Sequence, residues 1–494
     1  MSSIEELGHA HLKRNARVGM LLLSFRTGLQ NLIVLCATVF LARKLDPGDY
    51  GVFGILHFAM SFFRLLSDTG LGAALVRKQE QPEEAELSSW WWFQLVVGLL
   101  LVGGSFAFVP LVRSIWPSLP PGTEWLLPGL TLSLAFTMLQ SVPFLILERD
   151  VRFGWVSTLE FVGTIIFYVT AIVLSVMGKG AASLVWATVG QAAVISLAAH
   201  FVQPWRPKFI FQFNKIRALL RFGSALQGTQ VVGYANGAVT PVLVGARIGK
   251  DVVGIIQFAE GTAWIPTQIV GVVRRVYFPY LCRLQTNLVA FTHEFEVAIL
   301  LASVPTFFFF GLFLGTAPAI VSIVYGAKWL VAVPALYVYS LGYCALFFSW
   351  IGDAALAALN DAGRLLRIAS VVCIVNWGAT VISTTILSTP LGFALGFLVH
   401  LILSPVLIYF AIRRHLPNLR VFGRLRGVSG AALVLTGVGR LALPYVTGVP
   451  SLIAWVVVAV VTFVSVALTL DSELRAIGLK HFNQWLLSRC RDPA

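Results

Sequence analysis

The sequence predicts an all-α integral membrane protein of about 14 transmembrane helices, in two pseudo-symmetric six-helix lobes plus a C-terminal helix pair. Three observations predict it. Charged residues are 12% of the 494, against about 25% in a soluble domain, and mean hydropathy is +0.84. Fourteen runs are apolar enough to cross a bilayer, for which about 20 residues suffice. A short pattern also recurs. LARKLDPGDYGVFGILHF sets Ala42-Arg43 ahead of Gly51-Val52-Phe53, and VGARIGKDVVGIIQFA sets Ala246-Arg247 ahead of Gly254-Ile255-Ile256. Each copy ends one apolar run and starts the next, so a helix–loop–helix unit is repeated, as in two facing bundles.

The runs lie at 18–42, 51–71, 89–112, 125–147, 154–178, 181–203, 219–246, 252–273, 296–324, 330–358, 365–387, 391–412, 427–447 and 451–470. They are continuously apolar, without the alternation of barrel strands, so helices are expected. Pro305, Pro318 and Pro334 are expected to break or tilt the ninth and tenth. The first 17 residues are polar and hold Lys13, Arg14 and Arg17; the run that follows is long enough to be retained as a span rather than cleaved.

These limits organise the chain into a cytoplasmic segment 1–17, an N-lobe 18–203, a cytoplasmic linker 204–218, a C-lobe 219–412, a final pair 427–470 and a cytoplasmic tail 471–494. The repeats start six spans apart, so both lobes enter the membrane in the same direction, about an axis along its normal. With the N-terminus inside and fourteen spans alternating, most of the 36 Lys and Arg fall on the cytoplasmic side, both termini included. The net charge of +14 is therefore chiefly a topology signal, with no nucleic-acid partner implied. Binding of the clusters Arg206–Arg221 and Arg413–Arg426 to anionic lipid headgroups is a secondary reading. The tail, with Leu474, Ile477, Phe482, Trp485 and Leu486 among charges, reads as a short interfacial helix.

Polar residues inside the spans carry the functional signal, because a charge in hydrocarbon costs about 2.5–3.5 kcal/mol on insertion scales. His57, Ser61, Arg64 and Asp68 share one face of the second span, and Gln257, Glu260, Trp264 and Gln268 one face of the eighth. The first span has Arg26 and Gln30, with Thr27 and Asn31 beside them; the seventh has Gln227, Gln230 and Tyr234, then Asn236 and Thr240. Four stripes at positions equivalent under the repeat point to a central cavity. A structural Arg64–Asp68 pair is the plainer account of the second stripe.

Arg26 and Arg64 would lie deep in that cavity and Arg247 near its outer rim. Guanidinium groups suit phosphate oxygens, so an anionic, phosphate-bearing cargo is expected. Glu260, Asp68, Glu160 and Asp353 are candidates for proton or cation coupling, since a carboxylate in hydrocarbon needs a partner or a proton. Ser349, Asp353 and Asn360 are expected to share a face of the tenth span. His200 and His400 are expected at span ends, and Trp90, Trp91 and Trp92 in an interfacial belt.

Catalytic patterns are not found: no GxxxxGK[ST] phosphate loop, no HExxH, no persuasive Ser/His/Asp grouping. The five cysteines, Cys36, Cys282, Cys344, Cys373 and Cys490, show no metal or disulfide spacing. No metal, cofactor or covalent chemistry is expected.

Over much of its length the chain resembles the oligosaccharide flippases of bacterial polysaccharide synthesis, within the multidrug/oligosaccharidyl-lipid/polysaccharide exporter superfamily. The resemblance is carried by LARKLDPGDYGVFG (Leu41–Gly54), LLSDTGLGAALVRK (Leu65–Lys78), LILERDVRF (Leu145–Phe153), WRPK (Trp205–Lys208), RFG (Arg221–Gly223), FPYLCRLQ (Phe278–Gln285) and GAKWLVAVPAL (Gly326–Leu336). It implies fourteen helices, a bacterial inner-membrane location, and a cargo of undecaprenyl diphosphate bearing an oligosaccharide repeat unit. That cargo would be flipped to the outer leaflet for capsule or exopolysaccharide synthesis, alongside a polymerase or export complex. It further implies a cavity lined by spans one, two, seven and eight. Two departures stand out: Thr240 where the family carries an acidic residue, and Ile256 where an aromatic is common. The first raises the interest of Glu260.

Three rivals follow. A multidrug–cation antiporter of the same superfamily would want an acidic cavity. A glycosyltransferase or polymerase would want a large external loop, and the external loops here are short. A non-transporting scaffold of a polysaccharide assembly complex would tolerate loss of Arg26 and Arg64.

Overall fold

The computed structural model describes residues 30–67, 75, 81–150, 152–214, 227–471 and 474–476. They form helices joined by short turns: α1 (30–44), α2 (Pro47–Ser67), α3 (Glu84–Ile115), α4 (Leu126–Leu139), α5 (Ser141–Arg149), α6 (Phe153–Val176), α7 (Ala181–Val202), α8 (Gln227–Gly237), α9 (Lys250–Ala263), α10 (Thr267–Leu284), α11 (Leu288–Ile320), α12 (Val333–Ala358), α13 (Ala362–Ile386), α14 (Pro390–Arg413), α15 (Val421–Ala442) and α16 (Val449–Leu470). Among the described residues, eleven helical stretches are long and apolar enough to cross a membrane. The chain is a multi-pass membrane protein, and its described residues hold helices and no strands.

Eleven differs from the fourteen runs for identifiable reasons. Parts of the first and seventh runs lie outside the described residues. The eighth is not one helix: the chain turns between Ala263 and Thr267, where Pro266 supplies no amide proton, and α10 then carries Arg274 and Arg275. The prolines of the ninth and tenth runs do less than expected. Pro305 and Pro318 both sit inside α11, which runs on to Ile320 before a wide turn at Val321–Tyr325. Pro334 occupies the first turn of α12, where a missing N–H leaves no bond unmade.

The chain divides into two compact units, one of Met1–Asp49, Leu56–Ser114 and Leu119–Gln227, the other of Tyr50–Ile55, Ile115–Ser118 and Gly228–Ala494. In the first, α6 and α7 form a hairpin turned by Gly178 (φ 76°) and Gly180 (φ 52°), and α4 packs on α7. The aspartate of the first repeat is a fastener: Ala181 N–H, at the start of α7, donates to Asp49 Oδ1 at 3.0 Å, where the helix N-terminus favours a carboxylate.

The predicted linker is partly a strap on this unit. Residues 204–212 run along the first turns of α3: Lys208 N–H donates to Ser88 Oγ (3.1 Å), and Gln212 N–H to Ser89 Oγ (2.9 Å). The strap also meets the three tryptophans expected to form a belt. Trp92 Nε1 donates to Lys208 O (2.9 Å) and stacks on Phe209; Trp91 Nε1 donates to Leu139 O (3.2 Å); and Trp90 is buried with Leu75, Leu87, Val142 and Leu145. Each indole meets protein, because the strap and α5 cover the start of α3.

In the second unit, α11 packs along α15 and α12 along α14, with α13 against α14. The final pair is not peripheral to this unit. Gly315 of α11 and Gly439 of α15 cross so closely that a Cβ on Gly315 would lie 3.0 Å from Gly439 Cα, the small-residue contact by which membrane helices associate. The two copies of the repeat also meet here. A Cβ on Gly51 would overlap the Lys250 carbonyl, and one on Gly54 the Gln257 amide.

Candidate functional site

Of the predicted site residues, Arg26 and Asp68 lie outside the described residues, and Gln227 opens α8 with nothing to be said of its side chain. In the first unit, Gln30 Nε2 donates to Thr164 Oγ1 of α6 at 3.2 Å, so its amide is engaged within the unit, while Asn31 is exposed. His57 and Arg64 are exposed on α2, two turns apart, and close enough to interact electrostatically. Glu160 is exposed on α6.

In the second unit, Gln230 and Arg247 are exposed, Tyr234 is half-buried on α8, and Gln257 packs its amide against Gly54. Three predicted residues converge. Glu260, Trp264 and Asp353 line one cavity of about 380 Å³, walled by α8, α9, α12 and α14. Its geometry follows from helix periodicity: Glu260 and Trp264 are one turn apart on α9, and Tyr343, Trp350 and Asp353 recur on one face of α12. Tyr343 Oη donates to Glu260 Oε1 at 3.1 Å. Trp264 meets Tyr343 and Trp350 edge-on at 5.2 and 4.9 Å between ring centroids. Asp353 lies within electrostatic reach of Arg274 on α10.

Some expectations need correcting here. His400 is not at a span end: it lies midway along α14, lines the cavity and rests on Phe397 at 5.1 Å between rings. Asn360 does not share the face of Ser349 and Asp353. It follows the end of α12 in a left-handed turn (φ 60°), which asparagine tolerates better than most residues. Ser349 keeps its place on the cavity wall, 3.0 Å from Ser404 of α14.

Beside the cavity runs an amide network that joins Asn236 of the seventh-span stripe to residues of α13 that belong to no predicted stripe. Asn376 Nδ2 donates to Asn236 Oδ1 (2.9 Å), Thr380 Oγ1 to Asn376 Oδ1 (3.3 Å), and Trp377 Nε1 to Ala235 O (2.9 Å). Asn376 and Thr380 are fully buried. With Thr240 also on the cavity wall, this corner is polar but uncharged, and the cavity's ionisable groups are Glu260, Asp353, Tyr343 and His400. Such a set can take up a proton or ligate a small cation; among the described residues no cluster of three or more metal-ligating side chains is present.

Comparison with known proteins adds three findings. The family profile described as polysaccharide biosynthesis protein matches residues 40–334. The succinoglycan biosynthesis transport protein ExoT of Rhizobium meliloti (strain 1021) is 24% identical over 357 residues, 69% of this chain and 69% of its own; the teichuronic acid biosynthesis protein TuaB of Bacillus subtilis (strain 168) is 24% identical over 284 residues, 57% of this chain and 58% of its own. Among solved structures, the lipid II flippase MurJ in an inward closed conformation superposes with a TM-score of 0.76 at 18% identity, over 93% of this chain and 99% of that one, a likeness of fold.

Proposed function

The chain belongs to the polysaccharide biosynthesis protein family, and from that premise we propose that it is a flippase. In this reading it moves undecaprenyl-diphosphate-linked oligosaccharide repeat units from the inner to the outer leaflet of the bacterial cytoplasmic membrane by alternating access. Fourteen spans would form two six-helix lobes, 18–203 and 219–412, and a closing pair, with both termini cytoplasmic. Arg26 and Arg64 would hold the diphosphate. The polar and aromatic side chains of spans seven and eight, among them Gln230, Tyr234, Gln257 and Trp264, would meet the sugars.

The observation that carries this reading is where ionisable groups sit. His57 lies midway along a membrane-crossing helix and is exposed, and Glu260 and Asp353 line an internal cavity of the second unit. Hydrocarbon does not tolerate such groups without a polar path. A succinoglycan transport protein and a lipid II flippase among the likenesses support a lipid-linked, glycan-bearing cargo. Glu260 and Asp353 would then bind the coupling proton or cation, with Asp68 a further candidate.

A second reading has one observation in its favour. The cavity described in the second unit is acidic, as an exporter of cationic molecules would need. The two part in proteoliposomes. A flippase exchanges a fluorescent lipid-diphosphate oligosaccharide between leaflets and loses that exchange in Arg64→Ala and Arg26→Ala. An antiporter exports a cationic dye instead, and flipping unaffected in both variants would remove the arginines from the substrate site.

A further inference from the structure

The faces of α12 and α14 turned away from the polar cavity bound a second one, of about 510 Å³, closed at one end by the start of α15. Its lining is apolar, drawn from Cys344, Phe347, Phe348, Pro405, Val406 and Phe422 among others. Pro405 removes one backbone hydrogen-bond donor inside α14 beside the groove. Ile402, Val406, Phe410 and Phe422 on the rim are exposed, so the groove opens on the surface that membrane-crossing helices turn to hydrocarbon.

One charged side chain lines it: Arg413, the last residue of α14. Two other arginines near these helix ends are paired within the protein. Arg424 Nε bonds Glu296 Oε2 at 2.7 Å, and Arg364 Nη1 bonds Asp361 Oδ2 at 2.8 Å. The Arg413 guanidinium has no hydrogen bond or ion pair with any described residue. A groove apolar along its length and cationic at its mouth has the polarity of a lipid that is anionic at its head.

We propose that this groove is a binding site for an anionic glycerophospholipid, one acyl chain lying against Phe347, Phe348 and Val406 and the phosphodiester meeting Arg413. The cavity is of the size that holds a small ligand, which suits one acyl chain of a membrane lipid better than the long chain of a polyprenyl carrier. Two terms act together: the chain is as apolar as its wall, and each arginine near an anionic headgroup contributes about 1 kcal/mol.

The test is lipid retention, measured by native mass spectrometry on the full-length protein titrated with phosphatidylglycerol and with phosphatidylcholine of the same chains. Phosphatidylglycerol should be held about fivefold more tightly, and Arg413→Gln should bring it down to the phosphatidylcholine level. Arg414→Gln, exposed and outside the groove lining, should not. Val406→Trp, or Ile402→Trp if the first folds poorly, should displace both lipids. Equal retention by wild type and Arg413→Gln overturns the proposal, as does displacement of phosphatidylglycerol by a polyprenyl diphosphate, which would give the groove to the carrier lipid. Since the readout is retention and not leaflet exchange, this proposal and the flippase reading fail separately.

Discussion

Helices α12 and α14 are apolar spans, yet their two faces have opposite chemistry. One face presents Tyr343, Ser349 and Asp353 with His400 and Ser404 to a polar cavity; the other presents Cys344, Phe347 and Phe348 with Val406 and Tyr409 to an apolar groove. The difference teaches that average hydropathy hides the functional axis of a membrane helix. Each span crosses on its total, while its role depends on which turn of the wheel holds the few polar residues.

The largest effect should come from the polar face. Glu260→Gln keeps a hydrogen-bonding partner for Tyr343 but removes the group that can take up and release a proton, and transport in proteoliposomes should fall more than about tenfold. Phosphatidylglycerol retention at the opposite face should be unchanged. Transport at the wild-type rate in Glu260→Gln would take the cavity out of the working path.

Much of the architecture was legible beforehand, and the exceptions are instructive. The fifth and sixth runs, 154–178 and 181–203, match α6 (Phe153–Val176) and α7 (Ala181–Val202) closely, since glycines at 178 and 180 punctuate the hairpin. Glu260 and Trp264 stand out by helical spacing and Asp353 as an acidic residue inside a span, and all three line the polar cavity. His400 is expected at a span end from the sequence, and its place on the cavity wall depends on α9 and α12 arriving from elsewhere in the chain. The contact of Trp92 with Lys208 was not legible because that partner comes from a segment more than a hundred residues away.

The seam between the two faces is the next place to press. Gly352 lets α12 approach α14: a Cβ there would overlap Ile408 and lie 3.0 Å from Ile412 Cδ1. Gly352→Val should cost about 1–3 kcal/mol in thermal unfolding, the range for overpacking. It should also weaken lipid retention, because wedging the helices apart deforms the groove. A variant as stable as wild type would show that α14 shifts freely, and the two faces would then not be rigidly coupled. A smaller effect is expected where Ser349 and Ser404 meet at 3.0 Å. Their coupling in a double-mutant cycle with alanine should be about 0.6 kcal/mol, the average for interhelical bonds in membranes; a value near zero would assign the pair to the cavity's solvent instead.

The smallest effect lies past the ends of both helices, where Asp361 follows α12 and His415 follows α14. Asp361 Oδ2 lies 2.9 Å from His415 Nε2 and 2.8 Å from Arg364 Nη1. The hydrogen bond from His415, and after it the charge of Arg364, hold the Asp361 carboxyl below its usual range against the opposing effect of burial. A carboxyl depressed in the folded state contributes stability that is fully present above its unfolded value, about 3.9, and is lost as pH falls through the lower folded value. The unfolding temperature should therefore drop on acidification below about pH 4, and Asp361→Asn should remove part of that drop while lowering stability slightly at pH 7. The cluster is solvent-accessible, so high salt should shrink the difference. Identical acid profiles for wild type and Asp361→Asn would mean that the two helix ends are joined by packing alone. The polar and apolar faces of α12 and α14 would then owe their alignment to the glycine seam rather than to this clamp.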